Sequence, residues 1–257
     1  MSGFTLEAML QAELAGTGLL FARIGSALMV LPLLGEAAVT PRLRLFVALA
    51  LSLLLRPVLA HSLPPLPEEP VALAALVGGE IVIGLLLGSL GRLAMAAVHV
   101  AANVVAYQSG LAAAALFDPN EAQPVSPLAQ FLGMAALTAI LAADGHHAML
   151  LALRDGYERL PPGAPLPFGE AAGLYARLAA STMEVGLRMA APVLLAGLLV
   201  NVAVGLAARL VPSLQVFLLF VPAQILIAFA VAALSLGTVL ALMLRHFEGA
   251  LLLMAGG

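Results

Sequence analysis

Residues 190–244 read AAPVLLAGLLVNVAVGLAARLVPSLQVFLLFVPAQILIAFAVAALSLGTVLALML, and this stretch decides the fold. It holds the end of one apolar run, 174–208, and the whole of the next, 214–244, with a short break at 209–213 containing Pro212 and Ser213. A helix needs about 20 apolar residues to cross a bilayer, and both runs reach or exceed about 30. In lipid the helix satisfies its own backbone groups, so the two runs read as one long helical hairpin.

Working outward, five more apolar stretches precede the hairpin, at 14–34, 43–60, 71–91, 93–117 and 128–153. The breaks carry their own chemistry. Pro32, Gly35 and Pro41 bracket the first turn, and four prolines punctuate 61–70. Asp118, Pro119 and Asn120 open a break that lasts through Pro127. Pro161, Pro162, Pro165 and Pro167 fill the polar stretch 154–169. Proline lacks the N–H that a helix interior needs, so these segments separate helices. Seven spans with Arg42, Arg44, Arg92, Arg154, Arg159, Arg177 and Arg245 on the cytoplasmic side place the N-terminus outside; Arg56 and Arg209 fall on the wrong side.

Composition supports lipid or protein cover for these runs. Hydrophobic residues form 63% of the 257 and charged residues 10%, more apolar surface than a soluble domain can hide. The expected fold is all-α: a polytopic helical membrane protein with a long C-terminal hairpin. Cysteine is absent, which excludes disulfides and thiol chemistry. The net charge of −3 gives no basic face for nucleic acid. No basic leader precedes the first run, so insertion is expected to use uncleaved spans. HExxH, GxSxG, P-loop and dinucleotide patterns do not occur, and no catalytic residue, metal or cofactor is expected. Asp144-Gly145-His146-His147 invites a metal reading, with Glu80 or Asp118 as further ligands. It is disfavoured because adjacent histidines are expected to face different sides of a helix.

Polar residues inside apolar runs are costly, so they carry the information. Glu80, Gly84, Gly88 and Arg92 recur every four residues, and Gly84 with Gly88 forms a GxxxG that lets another helix approach. Arg92, His99, Asn103, Tyr107 and Gly110 continue as a polar stripe, which reads equally as the lining of a polar path or as a buried packing face. Gly197, Asn201, Gly205 and Arg209 form a second stripe. Arg177, Ser181, Glu184 and Arg188 form another, in which Glu184 and Arg188 are spaced to pair as a structural ion pair. Pro192, four residues further on, is expected to kink its helix.

In order along nearly the whole chain, these landmarks resemble the FliR family, whose injectisome relatives are called SctT. The resemblance runs through Arg23-Ile24-Gly25, Pro32 to Gly35, Pro41-Arg42-Leu43-Arg44, and Glu80 with its two glycines. It continues in Gln108-Ser109-Gly110-Leu111 leading to Phe117-Asp118-Pro119, in Gln130-Phe131-Leu132, and in Asp144 to His147. Pro192, Asn201, Gly205, Arg209 and Pro212 complete it. Asn103 and Ser213-Leu214-Gln215 depart from the family pattern. The histidine pair is similar to the flagellar branch.

The resemblance implies a non-enzymatic subunit of a flagellar protein-export gate, built into a hetero-oligomeric helical assembly in the inner membrane within the basal body. Residues 1–170 would be a FliP-like region and 171–257 a FliQ-like hairpin. The implied partners are FliP-like and FliQ-like subunits, FlhB-like and FlhA-like components, unfolded substrates in transit and membrane lipid. The implied plug lies near 110–124 and involves Gln108, Gly110, Leu111, Leu116, Phe117, Asp118 and Pro119. Glu80, Gly84, Gly88, Arg92, Asn103, Gly197, Asn201, Gly205, Arg209 and Pro212 are expected in subunit packing. Arg23, Arg42, Arg44, Asp144, His146, His147, Glu184 and Arg188 are expected as structural polar groups. Two alternatives remain: an injectisome subunit of the SctT type, and a proton-coupled transporter with Glu80, Asp144 and His146 as a relay.

Overall fold

A computed structural model describes residues 6–109, 127–165, 168–210 and 216–255, with side chains over slightly shorter ranges. Every regular element among the described residues is helical: α1 (Leu6–Val30), α2 (Pro41–Leu59), α3 (Pro70–Gln108), α4 (Pro127–Ala142), α5 (Gly145–Arg159), α6 (Phe168–Leu210) and α7 (Val216–Ala255). Three of them begin at a proline, whose fixed φ and missing N–H suit the first helical position. Between α1 and α2 the chain turns through Leu33 at φ 75°. A side chain at Gly35 would stand 2.6 Å from the Leu31 carbonyl, so only glycine fits there.

Among the described residues, five helices are long and apolar enough to cross a membrane, or six segments if the bent pair α4–α5 forms one span. The expectation of seven spans is corrected at one place and refined at another. Stretches 71–91 and 93–117 meet at Arg92, but one arginine without proline or turn chemistry does not break a helix, and α3 runs through it for 39 residues. Stretch 128–153 is divided at Asp144, which takes a left-handed conformation (φ 55°) before Gly145 and turns the chain by 72°. The sidedness that rested on seven crossings falls with them. Pro192 lies inside α6 and does not end it.

Length is the second finding. At 1.5 Å per residue α3, α6 and α7 extend about 58, 64 and 60 Å, roughly twice the hydrocarbon thickness of a bilayer. Tilt alone does not absorb that excess.

The chain packs as two units. One comprises Met1–Leu93, Asp144–Leu178 and Glu248–Gly257; the other comprises Ala94–Ala143 and Ala179–Phe247. In the first, α1 and α2 pack together, and Arg56 of α2 reaches Glu13 of α1 at 3.4 Å. Gly16 makes room for that guanidinium, since a Cβ there would lie 2.8 Å from its Nε.

Candidate functional site

The first unit is organised around a buried charge pair. Arg23 on α1 and Glu80 on α3 are 0% and 1% exposed. Arg23 donates from Nε to Glu80 Oε2 at 2.7 Å and from Nη2 to Oε1 at 2.9 Å, a two-point fork on the carboxylate. The remaining guanidinium donors reach the carbonyls of Leu160 at 2.7 Å and Gly156 at 3.4 Å, both at the end of α5. Tyr157 completes the shell: its ring lies 4.1 Å from the guanidinium carbon, and its hydroxyl donates to the Leu20 carbonyl at 3.5 Å. Satisfying this many polar atoms is what makes two buried charges tolerable in an apolar core.

Close backbone approach permits the pair. A Cβ at Gly84 would collide with the Arg23 carbonyl and Ser26 Oγ, and one at Gly88 would stand 2.5 Å from the Ala27 carbonyl. Glu80, Gly84 and Gly88, expected between subunits, therefore join α3 to α1 of the same chain. Arg92 leaves them: each four-residue step advances about 40° around a helix, so three steps turn the face by about 120°. It lies exposed with His99, Asn103 and Tyr107 along an outward polar stripe on α3.

In the second unit, Gln108 at the end of α3 is clamped. A Cβ at Gly197 of α6 would overlap its side chain, and Gln224 Nε2 of α7 donates to its carbonyl at 2.7 Å. That carbonyl is one of the acceptors every helix C-terminus leaves without an intrahelical partner. Gly197, expected among subunit contacts, thus packs within the chain. Farther along α6, Asn201, Gly205 and Arg209 are exposed, and a Cβ at Gly205 would meet no atom within 4 Å. Gly110, Leu111, Leu116, Phe117, Asp118, Pro119 and Pro212 lie outside the described residues.

The other polar positions are local. Arg44 donates to the Glu36 carbonyl, Arg42 is exposed, and Arg188 pairs with Glu184 at 2.5 Å on the surface. The histidine pair corrects an expectation: the rings of His146 and His147 approach to 4.1 Å between centroids, tilted by 36°, rather than facing apart. They sit in the first turn of α5, where no preceding turn restricts their rotamers. One donor atom from each and one from Asp144 lie within 4.8 Å of one another, a grouping that could hold a metal ion at an exposed corner of the chain.

Sequence reasoning missed Tyr157, Gln224 and Gly186. Tyr157 carried a signal, as an aromatic among the charges of 154–159, and Gln224 another, as an amide within an apolar run. Gly186, where a Cβ would lie 2.7 Å from Val100, had none, because a glycine's neighbour cannot be read from spacing.

Apolar helices of this length and number define an integral, polytopic helical membrane protein. Residues 14–250 match the family described as Bacterial export proteins, family 1, and the chain belongs to it. It is similar to the flagellar biosynthetic protein FliR of Caulobacter vibrioides, 33% identical over 85% of this chain and 87% of that one. It is also similar to FliR of Escherichia coli, 30% identical over 82% and 80%. The Yop proteins translocation protein T of Yersinia pestis is 27% identical over 95% and 93%. The family is thus the FliR/SctT family of export-apparatus proteins, as the ordered motifs implied.

Proposed function

We propose that the chain is a structural subunit of a flagellar type III export gate, which forms and closes a channel for unfolded substrates together with FliP-like and FliQ-like subunits. One observation carries this reading beyond family membership: three helices about twice as long as a bilayer is thick keep large side chains uncovered. Leu199 and Leu210 on α6 are 71% and 80% exposed, and Leu234 on α7 is 86% exposed. Each such side chain gains about 1.5–3 kcal/mol on burial. Where the helices outrun the lipid, partner helices are the remaining cover.

The exposed stripes on α3 and α6 supply polar contacts in that setting. The Gln108 clamp holds the chain entering 110–119, the segment proposed as the plug. FlhB-like and FlhA-like components adjoin the gate, and the assembly sits in the inner membrane within the basal body. The 33% identity to FliR of Caulobacter vibrioides, against 27% to translocation protein T of Yersinia pestis, favours flagellar over injectisome use. A proton relay is disfavoured because both Glu80 oxygens are held by Arg23.

Native mass spectrometry of the tagged chain, co-expressed with the FliP-like and FliQ-like genes of its own genome, tests the reading. A complex containing all three supports it, whereas a stable chain that ignores both partners sinks it. Deleting 112–116 is expected to make the assembled gate leak ions; unchanged conductance removes the plug role.

A further inference from the structure

We propose that Asp144, His146 and His147, at the start of α5, form a binding site for a divalent transition-metal ion of the zinc class. Two imidazoles and one carboxylate are a donor set that such ions take, whereas calcium and magnesium call for oxygen ligands. The ring contact brings both imidazoles to one side of the helix start. With three protein ligands, the remaining coordination positions fall to water, the pattern of an open site.

Separation comes first. Zinc bonds of about 2.0–2.1 Å place neighbouring ligand atoms roughly 3.3 Å apart. Asp144 Oδ1 and His147 Nδ1 already stand at 3.5 Å, long for a hydrogen bond and close to the spacing of two ligands on one ion. All three donors lie within 4.8 Å of one another, so the widest pair closes by about 1.5 Å. Rotamer changes at Asp144 and His147 accomplish this, because their side chains are 78% and 68% exposed.

Unmet bonding comes second. Asp144 sits at the N-cap of α5, yet its carboxylate caps no backbone N–H, the usual work of an aspartate there. Nδ1 of His146 is buried without a hydrogen-bond partner. Buried polar atoms are rarely left so, and ligation at this nitrogen supplies the partner. The backbone gives the frame: the N–H groups of His147 and Ala148 donate to the Asp144 carbonyl at 3.0 and 3.3 Å. Aspartate and histidine are thus held on one turn before an ion arrives. The helix dipole opposes a cation at this end, and the Asp144 carboxylate offsets it.

The full-length chain in detergent, purified without a polyhistidine tag, tests this, so the outcome does not depend on the export-gate reading. Titration with zinc chloride against a chromophoric chelator is expected to show one ion bound per chain at micromolar zinc. D144N, H146Q and H147Q are each expected to weaken binding by about tenfold or more, since even a group that only orients a ligand is worth roughly 10–100-fold. H61Q, at a histidine outside the cluster, is expected to change nothing. Cobalt(II) in place of zinc is expected to show visible ligand-field bands that D144N and H147Q lose, a signature that a merely structural role would not move. Asp144 and His147 are exposed, so these two variants keep the test clear of folding defects. Saturation only at millimolar zinc overturns the site. So does binding that survives D144N/H147Q at unchanged helix content, or binding that H61Q weakens as much as H147Q does.

Discussion

The two packed units solve the problem of polar groups in an apolar chain in opposite ways. The unit containing Arg23 and Glu80 seals its charges inside and surrounds them with carbonyls and a tyrosine ring. The unit containing α4 and the middle of α6 and α7 keeps His99, Asn103, Asn201 and Arg209 outside, on helices with little cover. The apolar window of α1 is 50% buried within the chain, and that of α7 only 11%. Sealed charges fix which helices of one chain belong together, whereas exposed ones are available to something else. The difference separates residues that hold this subunit together from residues offered to neighbours.

Five variants break or sharpen that comparison. The largest effect is expected from E80A, which strands a buried guanidinium and is expected to cost about 3–5 kcal/mol. Thermal unfolding of the detergent-solubilised chain reads it. R23L/E80L, which removes both charges, is expected to recover most of the loss; failure to recover would show that the cluster does more than neutralise itself. Next comes G197L, which forces a side chain into Gln108 and is expected to destabilise by about 1–3 kcal/mol. Loss of the Gln108 clamp should also raise leak through the assembled gate, and an unchanged melting temperature would dismiss the clamp.

N201A/R209A is expected to leave the lone chain within about 0.5 kcal/mol of its original stability. The same pair should lower recovery of the three-component complex about tenfold, as removal of interface contacts does. Full recovery would take these residues off the contact surface. The smallest effect belongs to R188Q, which breaks an exposed i, i+4 pair with Glu184 and is expected to cost no more than about 0.5 kcal/mol. A large loss there would mean that the pair is buried against a neighbour in the assembly.

Much of the fold was legible because apolar run length and proline placement are local properties. The break at 61–70 and the long final helices follow from them directly, whereas α5 continues to Arg159 and so occupies the first part of the polar stretch 154–169. Arg92 misled because a charge was read as a boundary, while α3 had no reason to stop. The site was legible in part. Spacing put Glu80, Gly84 and Gly88 on one face, but spacing cannot say whether that face meets its own chain or another. Identifying Arg23 as the partner takes a contact across 57 positions of sequence, which no local pattern carries. The histidine pair shows the same limit at short range, since its ring contact depends on sitting at a helix start.

Helices that outrun the membrane have a consequence for the cell. A copy of this chain made without its partners displays leucine-studded helix ends to water, the surface that chaperones and membrane proteases recognise. Orphan copies are therefore expected to be short-lived, and the quantity of this subunit is set by the partners waiting for it rather than by its own rate of synthesis.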